Sequence, residues 1–294
     1  LKSITLAFVA LQAFGLVSCS LHRTPTPVAR ERGFVESTND ASIYYERAGA
    51  GPAIVLIHGL GGNHAVWYRQ VPRLSAEHTI VTVSQRGFAP STGDHGPLDV
   101  DEMVGDLIAV LDHLEIERAA IVGQSMGGWT ALAATLSHPD RVRAVVLADT
   151  FAGIFDDHSR AHYEEVAERA RALASSPPSL GYHPALNEDF SDAHREEGYL
   201  YQLLSTFGAP DPGAIVHTLG RYSMDEKSMA ANKVPALFVV GRHDAIFPPE
   251  LVQKVSRRLA GAQLRIIADA GHSPYYETPE KWADIVLSFL DSVD

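Results

Sequence analysis

The chain of 294 residues predicts an α/β fold, a mostly parallel central sheet with helices on both faces and a helical insertion after the sixth strand. Two patterns carry that reading: short, wholly apolar runs recur along the chain, and stretches of helical period lie between them. The third observation is the interval from Phe151 to Asn232, which holds helical stretches but no strand-like run of comparable strength. Phe34–Glu36 and Ser42–Glu46, separated by Thr38-Asn39-Asp40, read as an antiparallel hairpin. Ile54–Ile57, running into Gly59, reads as a buried parallel strand, and the same pattern returns at Ile80–Val83, Ala119–Val122, Ala144–Leu147, Leu237–Val240 and Leu264–Ile267. Helical periods occupy 64–75, 100–114, 126–137, 250–259 and 279–291. Inside the insertion, helical stretches at 159–174, 192–207 and 212–221 are punctuated by Pro177-Pro178, Pro184 and Pro210.

Composition narrows the function. Hydrophobic residues make up 46% and charged residues 20%, with 23 glycines and 17 prolines, which is an ordinary globular balance and excludes disorder, collagen and coiled coil. A net charge of −12 argues against nucleic acid, because gripping phosphates requires clustered Lys and Arg. The basic run Lys254, Arg257, Arg258 and Arg265 reads as a solvated helix face. Cys19 is the only cysteine, so no intramolecular disulfide can form. It follows the apolar run Ile4–Val17, which is too short for an ordinary membrane-spanning helix and suits the h-region of an export signal.

Leu16-Val17-Ser18-Cys19 resembles a bacterial lipobox, whose cysteine becomes the lipidated first residue of the mature chain. The competing reading is cleavage after Ser20 and release of a soluble periplasmic or secreted protein, since Ser18-x-Ser20 is itself a small-x-small site. The organisation expected is therefore a signal peptide over 1–19, a tether over 20–32, a core over 33–148 and 233–294, and a lid over 149–232.

The strongest local motif is Gly123-Gln124-Ser125-Met126-Gly127-Gly128, directly between a predicted strand and a predicted helix. A serine on so sharp a turn is held with its hydroxyl exposed above the sheet, and Gly123 and Gly127 remove side chains that would collide across it. A serine hydroxyl needs a base to become a nucleophile, and the base needs an orienting acid. Asp244 and His272 both follow predicted strands, at the edge where open α/β sheets place their sites, and the chain order is Ser125, Asp244, His272. Asp244 could instead serve only as a helix cap near Pro249, and Asp149, after another strand, is a rival acid.

Several motifs in order carry a family resemblance over residues 33–292: His58-Gly59-Leu60-Gly61-Gly62, Gln85-Arg86-Gly87-Phe88, the Ser125 motif with Trp129, His138-Pro139-Asp140-Arg141-Val142, Gly241-Arg242-His243-Asp244 and Gly271-His272-Ser273-Pro274. The chain resembles lid-bearing α/β-hydrolases of the serine esterase and 3-oxoadipate enol-lactonase type. The resemblance implies Ser125, Asp244 and His272 as the catalytic triad and the backbone N–H groups of Leu60 and Met126 as the oxyanion hole, with supporting roles for His58, Gly59, Gly123 and Gly127. His58 is expected to hold the oxyanion loop by hydrogen bonding. Ser84 stands where many relatives carry an acid and Ala89 where they carry a second glycine, which implies an altered loop beside the mouth of the site.

The activity so implied is cofactor-free hydrolysis of a small carboxylic ester or lactone through an acyl-enzyme, with no metal and no nucleic acid as partner. Enol-lactone or carbon–carbon bond hydrolysis would use the same triad, and a hydrolase-like receptor would keep the fold without turnover. His158 and His162 have the spacing of a metal pair, but Ser159 replaces the glutamate of His-Glu-x-x-His. Gly59-Leu60-Gly61-Gly62 lacks the third glycine of a dinucleotide fingerprint. The lid aromatics Phe151, Phe155, Tyr163, Tyr182, Phe190, Tyr199, Tyr201, Phe207 and Tyr222 suit a partly apolar acyl group or the packing of the lid helices.

Overall fold

A computed structural model describes residues 29–93, 98–175, 178–206 and 212–293. The apolar head with Cys19, most of the expected tether, and Phe207 lie outside the described residues. The strands are β1 (Arg30–Glu36), β2 (Ser42–Ala48), β3 (Ala53–Ile57), β4 (Thr79–Val83), β5 (Ala119–Gln124), β6 (Val142–Ala148), β7 (Ala236–Gly241) and β8 (Gln263–Ile267). They form one sheet in the order β1-β2-β4-β3-β5-β6-β7-β8. The pairs of β1 with β2 and of β2 with β4 are antiparallel, and the remaining pairs are parallel.

The continuous apolar runs are explained by a sheet covered on both faces. Val55 and Ile57 of β3, Ile121 of β5, Val145 and Leu147 of β6 and Phe238 and Val240 of β7 share one core with helices Val100–His113, Gly127–Ser137 and Pro249–Ser256. Their neighbours Ile54, Leu56, Val122, Val146, Leu237 and Val239 belong to the opposite core, with Trp67, Trp282, Val286 and Leu290. The insertion contributes to both: Tyr163, Ile215 and Leu219 join the first core, and Leu186 and Tyr201 the second. It thus straddles the end of the sheet.

Three expectations need correction. The tether does not reach residue 32, because β1 begins at Arg30 and pairs with β2 from Arg30 opposite Ala48 onward. This edge strand is mostly exposed and carries no apolar run that would announce it. The helix expected over 64–75 is two pieces, a 3-10 turn at His64–Trp67 and a short helix at Val71–Leu74. Pro72 lacks the N–H and would clash with the preceding turn of a continuous helix. The helix expected over 192–207 divides at His194 into Glu188–Ala193 and Arg195–Ser205, a bend that lets Phe190 and Tyr201 both meet the Tyr276 ring. Two short helices, Glu226–Ala231 and Pro274–Glu277, had no periodic signal to announce them.

Trp129 joins the insertion to the core. It is 1% exposed, its indole N–H donates to the Leu219 carbonyl at 3.1 Å, and its ring meets Phe155, Tyr163 and Phe247. Trp129→Ala is therefore expected to cost about 3–5 kcal/mol, read as a lowered urea midpoint for unfolding.

Candidate active site

Ser125 sits at the end of β5 with φ of 50°, a left-handed conformation rare for a residue with a side chain. The turn is held from three sides. The Ser125 N–H donates to the Ala148 carbonyl at 2.8 Å, and the Gly128 N–H and Thr150 hydroxyl donate to the Ser125 carbonyl at 2.9 and 2.8 Å. A Cβ on Gly123 would lie 2.3 Å from the Gly127 carbonyl oxygen, and one on Gly127 would lie 2.5 Å from the carbonyl oxygen of Ile57. Glycine at both positions is thus what allows strand, serine and helix to meet so tightly.

The loops after β7 and β8 bring the acid and base together. His272 Nδ1 is 3.0 Å from Asp244 Oδ2, and the two residues are 5% and 3% exposed. Asp244 Oδ1 accepts from the N–H groups of Ile246 and Phe247 at 2.8 and 2.9 Å, so this carboxylate both caps its own turn and faces the imidazole. With Nδ1 engaged, Nε2 is the nitrogen left for a substrate or a serine. Gln124, next to Ser125, donates from Nε2 to the His272 carbonyl at 3.0 Å and so ties the serine turn to the histidine loop.

The loop after β3 completes the arrangement. A Cβ on Gly59 would lie 2.9 Å from the Ser125 Cβ, which puts this loop directly beside the serine. His58 is fully buried. Its Nδ1–H donates to the Gly59 carbonyl at 2.8 Å, and its Nε2 accepts from the Gln85 N–H at 3.0 Å. Gln85 in turn donates to the His58 carbonyl and accepts from the Thr130 hydroxyl. Leu60 follows this pinned segment. Among the described residues, neither the Leu60 nor the Met126 backbone N–H has an acceptor. Two polarised donors without partners beside a serine can stabilise an oxygen that becomes negative.

Glu277 and His183 also belong to the site, and neither stands out in the sequence. Glu277 is buried and accepts from the N–H groups of Gly271, Ser273 and Asn187, bracketing His272 and reaching into the insertion; burial raises its pKa. No periodic signal in the sequence marked it, since the short helix Pro274–Glu277 has none. His183, from the insertion, has its pKa lowered to about 4 by burial and by His272, and its Nδ1 accepts from the Ala185 N–H. Asp149 lies against the Asp244–His272 pair. These three are the one group of three potential metal-ligating side chains among the described residues, but the Asp244 oxygens and His272 Nδ1 are already engaged by protein donors and by each other. His162 is directed away from metal chemistry, its Nε2 lying 3.0 Å from the Ile246 carbonyl. Ser84 is buried and bonds to His64 and the Ala89 carbonyl, closing the altered loop on itself.

This combination of a parallel sheet, a serine turn after the fifth strand and an Asp–His pair on later strands is that of the α/β-hydrolases. The chain matches the alpha/beta hydrolase fold family over residues 52–279 and belongs to it, a family of hydrolytic enzymes. It is 30% identical to the pimeloyl-acyl-carrier-protein methyl ester esterase of Neisseria meningitidis over 257 residues, which cover 82% of this chain and 77% of that protein. Among solved structures it is similar to a thermophilic esterase from Thermogutta terrifontis (TM-score 0.75, 26% identity, 90% of this chain and 99% of that one). It is also similar to the enol-lactonase from Burkholderia xenovorans (TM-score 0.72, 26% identity, 88% and 100%).

His58 makes stability depend on pH. Burial lowers its pKa from 6.5 to about 4, against the pull of the Gly59 carbonyl. Between those values the unfolded chain binds the extra proton, so stability is lost as pH falls through this window, by up to about 3 kcal/mol. Urea midpoints should fall on moving from about pH 7 toward pH 4, and His58→Gln, though less stable, should show a flatter dependence.

Proposed function

We propose that this protein is a cofactor-free serine hydrolase that cleaves a carboxylic ester or lactone through an acyl-enzyme. The observation that carries the reading is the convergence on one sheet edge of a strained serine turn, two acceptor-free backbone amides and a buried Asp–His pair. In this mechanism the Ser125 hydroxyl attacks the substrate carbonyl while His272 Nε2 takes its proton. The Leu60 and Met126 N–H groups hold the developing oxyanion, an effect worth about 3–4 kcal/mol for each donor lost. Asp244 keeps the imidazole in the tautomer with Nδ1–H and stabilises its cationic form. His272 then returns the proton to the departing alkoxide, and water, activated by the same imidazole, hydrolyses the ester of Ser125 to release the acid. For a lactone the alkoxide stays attached to the acyl group, so one hydroxy acid is released.

The similarity to an esterase and to an enol-lactonase supports an ester or lactone carbonyl as the reacting group. A partly apolar acyl group suits the aromatic content of the insertion, although Phe151, Tyr163 and Tyr201 are buried and serve packing first. We further propose that Cys19 carries a lipid that anchors the chain at a bacterial cell envelope, on the sequence of Leu16-Val17-Ser18-Cys19 alone. Metabolic labelling with a palmitate analogue should mark the chain, and Cys19→Ser should remove both the label and membrane association; an unlabelled chain recovered as soluble protein would point to cleavage and release instead.

The catalytic reading is tested with p-nitrophenyl esters of short and long chain, simple lactones and an enol-lactone. Ser125→Ala should abolish turnover in a protein with an unchanged circular dichroism spectrum, and a fluorophosphonate should label Ser125 in the parent chain. Turnover that survives the substitution would remove Ser125 from the mechanism, and a parent chain that neither turns over nor labels would leave a ligand receptor. Asp244→Asn should lower kcat by about 10⁴-fold with much less effect on KM, since it favours the wrong imidazole tautomer.

A further inference from the structure

Asp149 is a buried ionisable group in contact with the Asp244–His272 pair that the mechanism above leaves unused. It is fully buried at the end of β6, with φ of 49°. Its backbone is fixed by donation to the Val239 carbonyl at 2.8 Å, and its Oδ1 accepts from the Gly241 N–H at 2.9 Å. Its other oxygen, Oδ2, has no hydrogen-bond donor within reach. An oxygen of Asp149, an oxygen of Asp244 and a ring nitrogen of His272 all lie within 4.8 Å of one another.

Two carboxylates enclosed this closely cannot both be ionised at tolerable cost, so one proton must be shared between them. The hydrogen bonds decide its owner. Asp244 accepts from two backbone N–H groups and from His272, whereas Asp149 has one donor and a bare oxygen free to carry the proton. We propose that Asp149 remains a neutral carboxylic acid whose O–H donates to the Asp244 carboxylate, a positioning residue that steadies Asp244 and takes up part of its charge. Burial first, then the charge of Asp244, push the Asp149 carboxyl well above the usual carboxylate range, against the Gly241 N–H. The ionisable groups facing the pair are His272 and Glu277 from the loop and helix after β8, and Tyr201 from the insertion, while His183 of the insertion faces His272 in turn. Burial and His272 lower the His183 pKa to about 4, so near neutral pH His272 is the one of these groups that can carry positive charge, and a proton on Asp149 spares its imidazole the field of an extra carboxylate.

The kinetic consequence rests on the triad reading, and the direct test does not. Full-length protein labelled with carbon-13 aspartate should show, near neutral pH, the infrared carbonyl stretch of one protonated aspartic acid. The band should vanish in Asp149→Asn. It should persist, shifted by a weaker acceptor, in Asp244→Asn. Absence of the band from the parent protein, or its loss only in Asp244→Asn, would overturn the proposal. In kcat/KM, Asp149→Leu removes the donor and leaves Asp244 better able to hold an imidazolium, so the acid limb should move up by about one pH unit. Asp149→Asn keeps an N–H donor toward Asp244 and should hold the limb in place; equal movement in both variants would also overturn it. Turnover by Ser125→Ala would defeat the hydrolase reading while leaving the infrared result standing.

Discussion

The constraint on which the site depends is the close approach of backbones at one edge of the sheet. The serine turn after β5 packs against the carbonyls at the end of β3, so that a single methyl group on Gly127 would overlap the Ile57 oxygen. The loop after β7 meets the loop after β8 more tightly still, with the Gly271 oxygen 1.9 Å from where a Cβ on Gly241 would stand. Parallel strands in register bring their carboxyl ends to one level, and glycine lets the chain leave that level in four sharp turns. Ser125, Leu60, Asp244 and His272 are neighbours because of this crowding, although they are spread over more than two hundred residues of sequence.

Crowding also encloses many polar groups, and an enclosed polar group is costly unless it is paired. The site meets that demand with a division of labour. His58, Gln85 and Thr130 satisfy one another and the Gly59 carbonyl, so the loop that carries Leu60 is rigid while the Leu60 N–H itself remains free. Glu277 satisfies the amides on either side of His272, and Gln124 its carbonyl, which leaves the imidazole as the one part of that loop available for chemistry. The Leu60 and Met126 N–H groups are left without acceptors where an oxyanion would develop, which is the arrangement that makes preorganised electrostatics effective.

The strands with continuous apolar runs were legible in the sequence because both faces of the sheet are covered, so burial imposed no alternation on β3 to β7. The hairpin of Phe34–Glu36 with Ser42–Glu46 was legible too, but the start of β1 at Arg30 was not, because an exposed edge strand has no hydrophobic requirement to write into its residues. The break in the helix around Pro72 was written in the sequence as a proline and was overridden there by the apolar period on either side. At the site, the spacing of glycines around Ser125, Asp244 and His272 carried the reading, since each marks a turn no other residue could make. Glu277 and His183 carried no such mark. A glutamate in a helix turn and a histidine among 14 become informative only once the fold shows what they face.

The insertion is fastened to the histidine loop itself. The hydroxyls of Tyr201 and Ser273 share a hydrogen bond of 2.9 Å, the Tyr276 hydroxyl donates to the Glu197 carbonyl at 2.6 Å, and the Asn187 N–H donates to Glu277 at 2.9 Å. Gly271 is pressed so closely on Asn187 that an added Cβ would sit 2.7 Å from its nitrogen. Glu277 therefore holds two parts of the chain with one carboxylate, the loop that carries His272 and the segment of the insertion that leads into helix Glu188–Ala193. A change that lifts Asn187 would free one of its acceptor sites and redistribute its charge over Gly271 and Ser273, on either side of the imidazole. The insertion and the loop that holds His272 are in this way mechanically joined, so a displacement of one is transmitted to the other.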